Sequence, residues 1–200
     1  MKAIVLDMYG VIIKQTGDDF APHVQQTFPN LTIDDIYTHW FKADVGEITS
    51  LEVWERLGFQ GDIEKIEKEY LDTLELNDGF LDFITSVRDH YKLAIISNDS
   101  SQWSKYLREK FDINQYFDVI SISGDLKIKK PDERIFRLTI EQLGCKAEEC
   151  LYVDDRERFL YAASKIGMNA VMLNSRHVSY EGNVVDDFNQ LKNMLSSGAL

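Results

Sequence analysis

Three apolar runs end in residues able to do chemistry, and a fourth stretch carries a lysine that joins them. Asp7 and Tyr9 follow one in "IVLDMYGVII" (4–13), and Ser97 and Asn98 close another in "KLAIISN" (92–98). Lys130 stands in "KIKKPDERIF" (127–136), and Asp154 and Asp155 close "CLYVDD" (150–155). A carboxylate can attack phosphorus as a nucleophile and divide a hydrolysis into two displacements. Attack by an anion on a phosphate dianion needs positive charge, which an ammonium such as Lys130 and a divalent cation on oxygen ligands supply. Ser97 offers a hydroxyl to a phosphoryl oxygen, and the backbone N–H groups at the following helix start add further donors. Three carboxylates, Asp7, Asp154 and Asp155, would repel one another without a cation, so together they predict a hard metal, Mg²⁺. Singly each has a plainer reading: Ser97 or Asn98 as a helix cap, Lys130 as a solvated lysine before a proline turn, Asp154-Asp155 as a cap for the next helix. As a set on successive strand ends they point to one site.

The elements that must position these residues follow from periodicity. Short β-branched apolar runs at 2–8, 92–98, 118–123, 150–155 and 170–175 read as strands buried on both faces. Between them, 78–91, 101–112, 132–144 and 156–168 repeat apolar residues at three- and four-residue spacing. Alternating strands and helices imply an α/β fold with a parallel sheet and helices on both faces. Ligands of such a sheet gather beyond the carboxyl ends of its strands, where all four stretches lie.

Residues 14–77 break the alternation with four helical segments, 17–28, 32–46, 49–59 and 61–74. They predict a small helical bundle, a cap domain, inserted into a core made of 1–13 and 78–200. Thr32 with Asp35 and Thr49 with Glu52 have the spacing of capping boxes. Phe20, Ile36, Trp40, Val53, Trp54 and Leu57 supply the bundle's core, and the closing "SSGAL" (196–200) is expected to fray.

With 44% hydrophobic residues, a 200-residue chain can bury one core plus a small appendage. A net charge of −12 argues against nucleic acid or an anionic membrane as partner. No secretory signal and no apolar run near the roughly 20 residues of a membrane span are visible, so a cytoplasmic protein, monomer or homodimer, is expected. Cys145 and Cys150 have no metal or redox spacing and read as packing residues.

These stretches, in this order over essentially the whole chain, resemble the motifs of the haloacid dehalogenase superfamily. "DMYGV" (7–11) is similar to its first motif, "ISN" to its second, Lys130 to its third and "YVDD" to its fourth. "GEIT" (46–49) is similar to cap sequences of the branch that includes glucose 1-phosphate phosphatases. The resemblance implies a Rossmann-like core of strand order 5-4-1-2-3 and a cap closing over a small phosphorylated substrate. It also implies Asp7 as nucleophile, Tyr9 as metal ligand through its carbonyl, and Ser97, Asn98 and Lys130 as phosphoryl contacts. Asp155, with Asp154 directly or through water, completes the implied Mg²⁺ site.

Tyr9 is the departure, because most of these phosphatases carry there a second aspartate as general acid and base. A phenol with a pKa near 10 is a poor base at neutral pH, so Tyr9 reads either as a proton donor or as a packing residue. A D-x-Y-G motif also resembles that of metal-independent 2-haloacid dehalogenases, whose leaving halide needs no proton. Against this, an acidic pair at 154–155 serves a cation. Phe159 replaces a later aspartate of the fourth motif. The expected function is a Mg²⁺-dependent phosphomonoester hydrolase. The alternatives are a dehalogenase and a low-turnover phosphometabolite-binding or regulatory protein.

Overall fold

The computed structural model describes residues 1–198. Six strands form one sheet: β1 (Ala3–Leu6), β2 (Lys92–Ser97), β3 (Val119–Ile122), β4 (Cys150–Asp154), β5 (Asn169–Leu173) and β6 (Asn183–Val185). Every pairing is parallel and the order is β3-β2-β1-β4-β5-β6. The expected five-strand series is present, read from the other edge, and β6 extends it beyond β5. Three residues, "NVV", between polar neighbours are too short to show a strand period, which hides β6 from a sequence reading.

Helices α1 (Phe20–Thr27), α2 (Ile33–Ala43), α3 (Ser50–Arg56) and α4 (Ile63–Asp72) follow β1, and α5 (Phe80–Val87) leads into β2. Helix α6 (Ser101–Lys110) joins β2 to β3, and α7 (Ser123–Leu126) and α8 (Glu133–Leu143) precede β4. Helices α9 (Glu157–Lys165) and α10 (Phe188–Ser197) complete the fold. The tail expected to fray is partly ordered: Ser196 and Ser197 belong to α10, whereas Ala199 and Leu200 lie outside the described residues. No helix among the described residues is long and apolar enough to cross a membrane.

Alternation along each strand shares the apolar runs between two faces, which is why they are continuous. Leu6, Ile95 and Val153 pack with α5, α6 and α10, whereas Val5, Ile96 and Tyr152 pack with α8 and α9. Cys150 is buried on the second face, and burial pushes its thiol up to about 12, so it packs rather than reacts.

Both capping boxes form, with Thr32 and Thr49 exchanging hydrogen bonds with Asp35 and Glu52. The core of the insert is not its own, however. Trp103 of α6 reaches into it, its ring centroid 4.2 Å from that of Trp40 and 5.0 Å from that of Phe20. Beneath this cluster the Glu67 carboxylate accepts from the Trp103 indole N–H at 2.6 Å, the Trp54 indole N–H at 3.2 Å and the Ser50 hydroxyl at 3.0 Å. Glu67→Ala should strand three buried donors and cost about 3 kcal/mol, read by denaturant unfolding. A loss under about 0.5 kcal/mol would mean that water replaces the carboxylate.

Candidate active site

Parallel register brings the ends of β1 and β4 together, since Leu6 pairs with Val153 and the Asp7 N–H donates to the Val153 carbonyl at 2.9 Å. This is where the strand order reverses, the ordinary ligand crevice of an open parallel sheet. Asp7 is buried there with Asp154 and Asp155, and one ligand atom from each lies within 4.8 Å of the others. Lys130 Nζ sits between two of them, 2.8 Å from Asp7 Oδ1 and 2.9 Å from Asp154 Oδ2, and is fully buried.

Several groups hold Lys130 in place. The Asn98 side chain accepts from the Lys130 backbone N–H at 2.8 Å and donates to its carbonyl at 3.0 Å, stapling the loop before α8 to the end of β2. The Phe159 ring centroid lies 4.7 Å from Nζ and offers its negative face. Asp154 is the most engaged of the three: the Tyr152 hydroxyl and Lys130 donate to Oδ2, and the Arg156 N–H donates to Oδ1 at 2.8 Å.

Asp155 differs. Its Oδ1 is buried without a hydrogen-bond partner, and its Oδ2 has only Arg176 Nη1 at 3.5 Å. Gly10 makes the close approach tolerable, because a Cβ there would lie 2.6 Å from Asp155 Oδ2, and its φ of 80° suits glycine. Around Tyr9 the backbone bonds run from Ile13 N–H to the Met8 carbonyl and from Gly10 N–H to the Ile13 carbonyl. The Tyr9 carbonyl accepts none among the described residues. The Ser97 hydroxyl is likewise buried and unpartnered at the end of β2.

One ammonium thus faces three carboxylates. Burial and the Asp154 charge push Asp7 well above the usual carboxylate range, against the pull of Lys130. Burial, then Asp154, pushes Asp155 up to about 6 despite Arg156 and Arg176. Lys130 itself is raised: burial opposes its charge, but Asp154 and Asp7 outweigh that cost. Among the described residues Lys130 is the one fully buried cation of the cluster, with Arg156 Nε 4.0 Å and Arg176 Nη1 3.5 Å from Asp155 at its edge, and the open atoms are all oxygens, the donor set of a hard divalent cation.

A cleft of about 290 Å³ opens from Asp7 toward α2, lined among others by Tyr9, Asp44, Lys129, Arg156 and Arg158. Tyr9 lines the cleft beside Asp7, and its hydroxyl donates to Asp99 Oδ2 at 3.2 Å. Burial and the Asp99 charge hold it well above the usual phenol range, so it remains a phenol. Asp18, before α1, receives Arg156 Nη2 at 2.7 Å and Arg176 as well, tying the insert's first loop to the arginines beside Asp155.

Of the residues singled out from sequence, Asp7, Lys130, Asp154 and Asp155 converge. Ser97, Asn98 and the Tyr9 backbone border the cluster, and the Tyr9 hydroxyl is engaged by Asp99. Sequence reasoning missed Asp44, Tyr152, Arg156 and Arg176. Tyr152 sits inside an apolar strand and carried no polar signal. Asp44 and Arg176 are lone charges in polar segments.

The family model of haloacid dehalogenase-like hydrolases matches residues 4–173, and the chain belongs to that family. A glyceraldehyde 3-phosphate phosphatase of Methanothermobacter thermautotrophicus is 33% identical over 118 residues, 52% of this chain and 51% of that protein. The chain thus spans about half the length of this relative. Among solved structures, a Bacteroides thetaiotaomicron enzyme of the family, in complex with magnesium and inorganic phosphate, superposes with a TM-score of 0.72. It is 20% identical and covers 85% of this chain and 92% of its own. The L-2-haloacid dehalogenase of Xanthobacter autotrophicus gives 0.71 at 16% identity, covering 98% of each chain. Both are likenesses of fold.

Proposed function

We propose that this chain is a Mg²⁺-dependent phosphomonoester hydrolase of a small phosphorylated metabolite, working through an aspartyl-phosphate on Asp7. The observation that carries the reading is the buried carboxylate cluster, served by one lysine and left with an unpartnered Asp155 oxygen. Asp7, Asp155 and the Tyr9 carbonyl would hold the cation, which supplies charge against the phosphate dianion when bound. Asp154, which accepts three hydrogen bonds, acts through Lys130 as a positioning residue and completes the cation site directly or through water.

In the first displacement a carboxylate oxygen of Asp7 attacks phosphorus and the ester oxygen departs. The Lys130 ammonium stabilises the gathering negative charge, and the Ser97 hydroxyl donates to a phosphoryl oxygen. In the second, water attacks the same phosphorus and restores the Asp7 carboxylate. Residues 14–77 act as a cap domain over the substrate, and 1–13 with 78–200 form the core domain. The phosphatase named among the relatives supports this class of substrate.

Tyr9 favours the second reading, a 2-haloacid dehalogenase, since a departing halide requires no acid. The buried acidic pair Asp154-Asp155 weighs against it, because a metal-independent site gains nothing from uncompensated carboxylates. Phosphate release from a panel of metabolite phosphates and p-nitrophenyl phosphate, with Mg²⁺ and with EDTA, decides between them. The phosphatase loses its activity in EDTA and regains it with Mg²⁺. Halide release from 2-chloropropionate that persists in EDTA would replace this reading with the other.

A further inference from the structure

The phosphatase chemistry proposed above needs a proton for the departing oxygen and a base for the attacking water. Tyr9 stands at the position that resembles the family's usual acid, yet its hydroxyl is spent on Asp99. Most of the neighbouring carboxylates are engaged. Asp18 binds two arginines, Asp154 binds Lys130 and Tyr152, and Asp99 lies fully buried behind Tyr9, away from the cleft.

Asp44 remains. It lines the same cleft as Asp7, is only 4% exposed, and its Oδ1 has no hydrogen-bond partner. Its Oδ2 has Lys129 Nζ at 3.6 Å. The residue is the C-cap of α2, and its position against the sheet is set twice. The Ser123 hydroxyl donates to the Asp44 carbonyl, and Gly46 lies so close to α7 that a Cβ there would come within 2.4 Å of the Gly124 carbonyl oxygen. The insert therefore delivers this carboxyl to the cleft on a pinned backbone.

Resting on that phosphatase reading, we propose that Asp44 is the general acid and base of this enzyme, a catalytic residue supplied by the helical insert in place of the family's second aspartate. In the first displacement the P–O bond to the leaving group breaks as Asp7 bonds to phosphorus, and the Asp44 carboxyl gives its proton to the leaving oxygen, which departs as the alcohol. In the second, the Asp44 carboxylate takes a proton from water as the water oxygen bonds to phosphorus. The Asp7–P bond breaks, inorganic phosphate leaves, and Asp44 is again protonated.

The surroundings suit both states. Burial pushes Asp44 up to about 6, with Lys129, then Arg156 and Lys130, opposing. Tyr9, a neutral phenol, lines the cleft beside it, and Asp99 behind Tyr9 opposes a second negative charge there. The negative end of α2 also favours the neutral acid. A group poised near neutrality is the effective proton carrier at neutral pH.

The test is leaving-group dependence in Asp44→Asn. An aryl phosphate such as p-nitrophenyl phosphate leaves without a proton, whereas an alkyl phosphate needs one. The ratio of alkyl to aryl phosphoenzyme formation should fall by about 10²–10⁴ in the variant, the usual worth of a general acid. Phosphorylated enzyme should also accumulate, seen by acid quench, because its hydrolysis has lost a base. An equal loss on both substrates, or none, overturns the proposal. Should Asp44→Asn not fold, wild-type pH profiles decide. Alkyl phosphate turnover should then show an alkaline falling limb absent from the aryl burst, and identical limbs overturn the assignment. No Mg²⁺-dependent phosphate release from any substrate by the wild type would instead sink the phosphatase reading itself.

Discussion

Asp7→Asn is expected to abolish turnover, by about 10⁴-fold or more, while leaving the protein at least as stable as the wild type. The loss follows from chemistry, since an amide cannot act as the attacking carboxylate, and Asp154, the other carboxylate on Lys130, does not line the cleft. The stability follows from charge. Asp7 is one of three buried carboxylates around a single lysine, and the amide is isosteric and keeps an oxygen able to accept from the Met8 N–H. Burial first, and Asp154 next, hold the folded Asp7 carboxyl above its unfolded pKa, so the folded chain keeps a proton that the unfolded chain has released. The wild type therefore loses this contribution as pH rises from about 4, and the asparagine does not. Thermal melts in EDTA should show the variant's advantage growing between pH 5 and pH 8. Undiminished phosphate release would place the nucleophile elsewhere.

The sheet was legible because its strands are buried on both faces. Runs such as "KLAIIS" and "CLYVD" are long enough and apolar enough to declare themselves, and their ends place the charged residues without any knowledge of packing. The three-residue β6 and the single-turn α7 fall below the length at which a period exists. The convergence of Asp7, Lys130, Asp154 and Asp155 followed from topology alone, since in a parallel sheet all strand ends point the same way. What sequence could not convey is the division of labour inside that group. Asp154 and Asp155 are neighbours of the same type, and only their hydrogen bonds separate a heavily engaged carboxylate from an open one.

The insert shows the same limit at longer range. Its capping boxes are local and readable, but its attachment to the sheet runs through Trp103, which lies far along the chain on α6. Asp44 likewise gains its interest only from the cleft, since a lone aspartate at a helix end is otherwise an ordinary solvated residue. Such pairings need the tertiary fold because no sequence spacing encodes them.

Lys130→Met carries the second large effect, and it separates two roles. Methionine keeps most of the buried volume and can still pack on Phe159, so the change removes chiefly the charge. Asp7 and Asp154 then stay buried without their cation, and breaking such a pair costs about 3–5 kcal/mol at neutral pH. Turnover should fall by about 10²–10³-fold or more, because a preorganised charge is missing from the transition state. The stability cost has a definite pH dependence. Without the ammonium the Asp7 carboxyl, already raised by burial and the Asp154 charge, is raised further in the folded state, so the variant binds more protons folded than unfolded above about pH 4 and loses stability as pH rises. In the wild type Lys130 is raised by Asp154 and Asp7 over the cost of burial, so its contribution is fully present below its unfolded pKa of about 10.4 and does not change in this window. The deficit of Lys130→Met relative to the wild type should therefore widen from pH 5 to pH 8 in denaturant titrations. A deficit that is the same at both pH values would mean that Lys130 serves the fold by packing, and the electrostatic account of the cluster would fail with it.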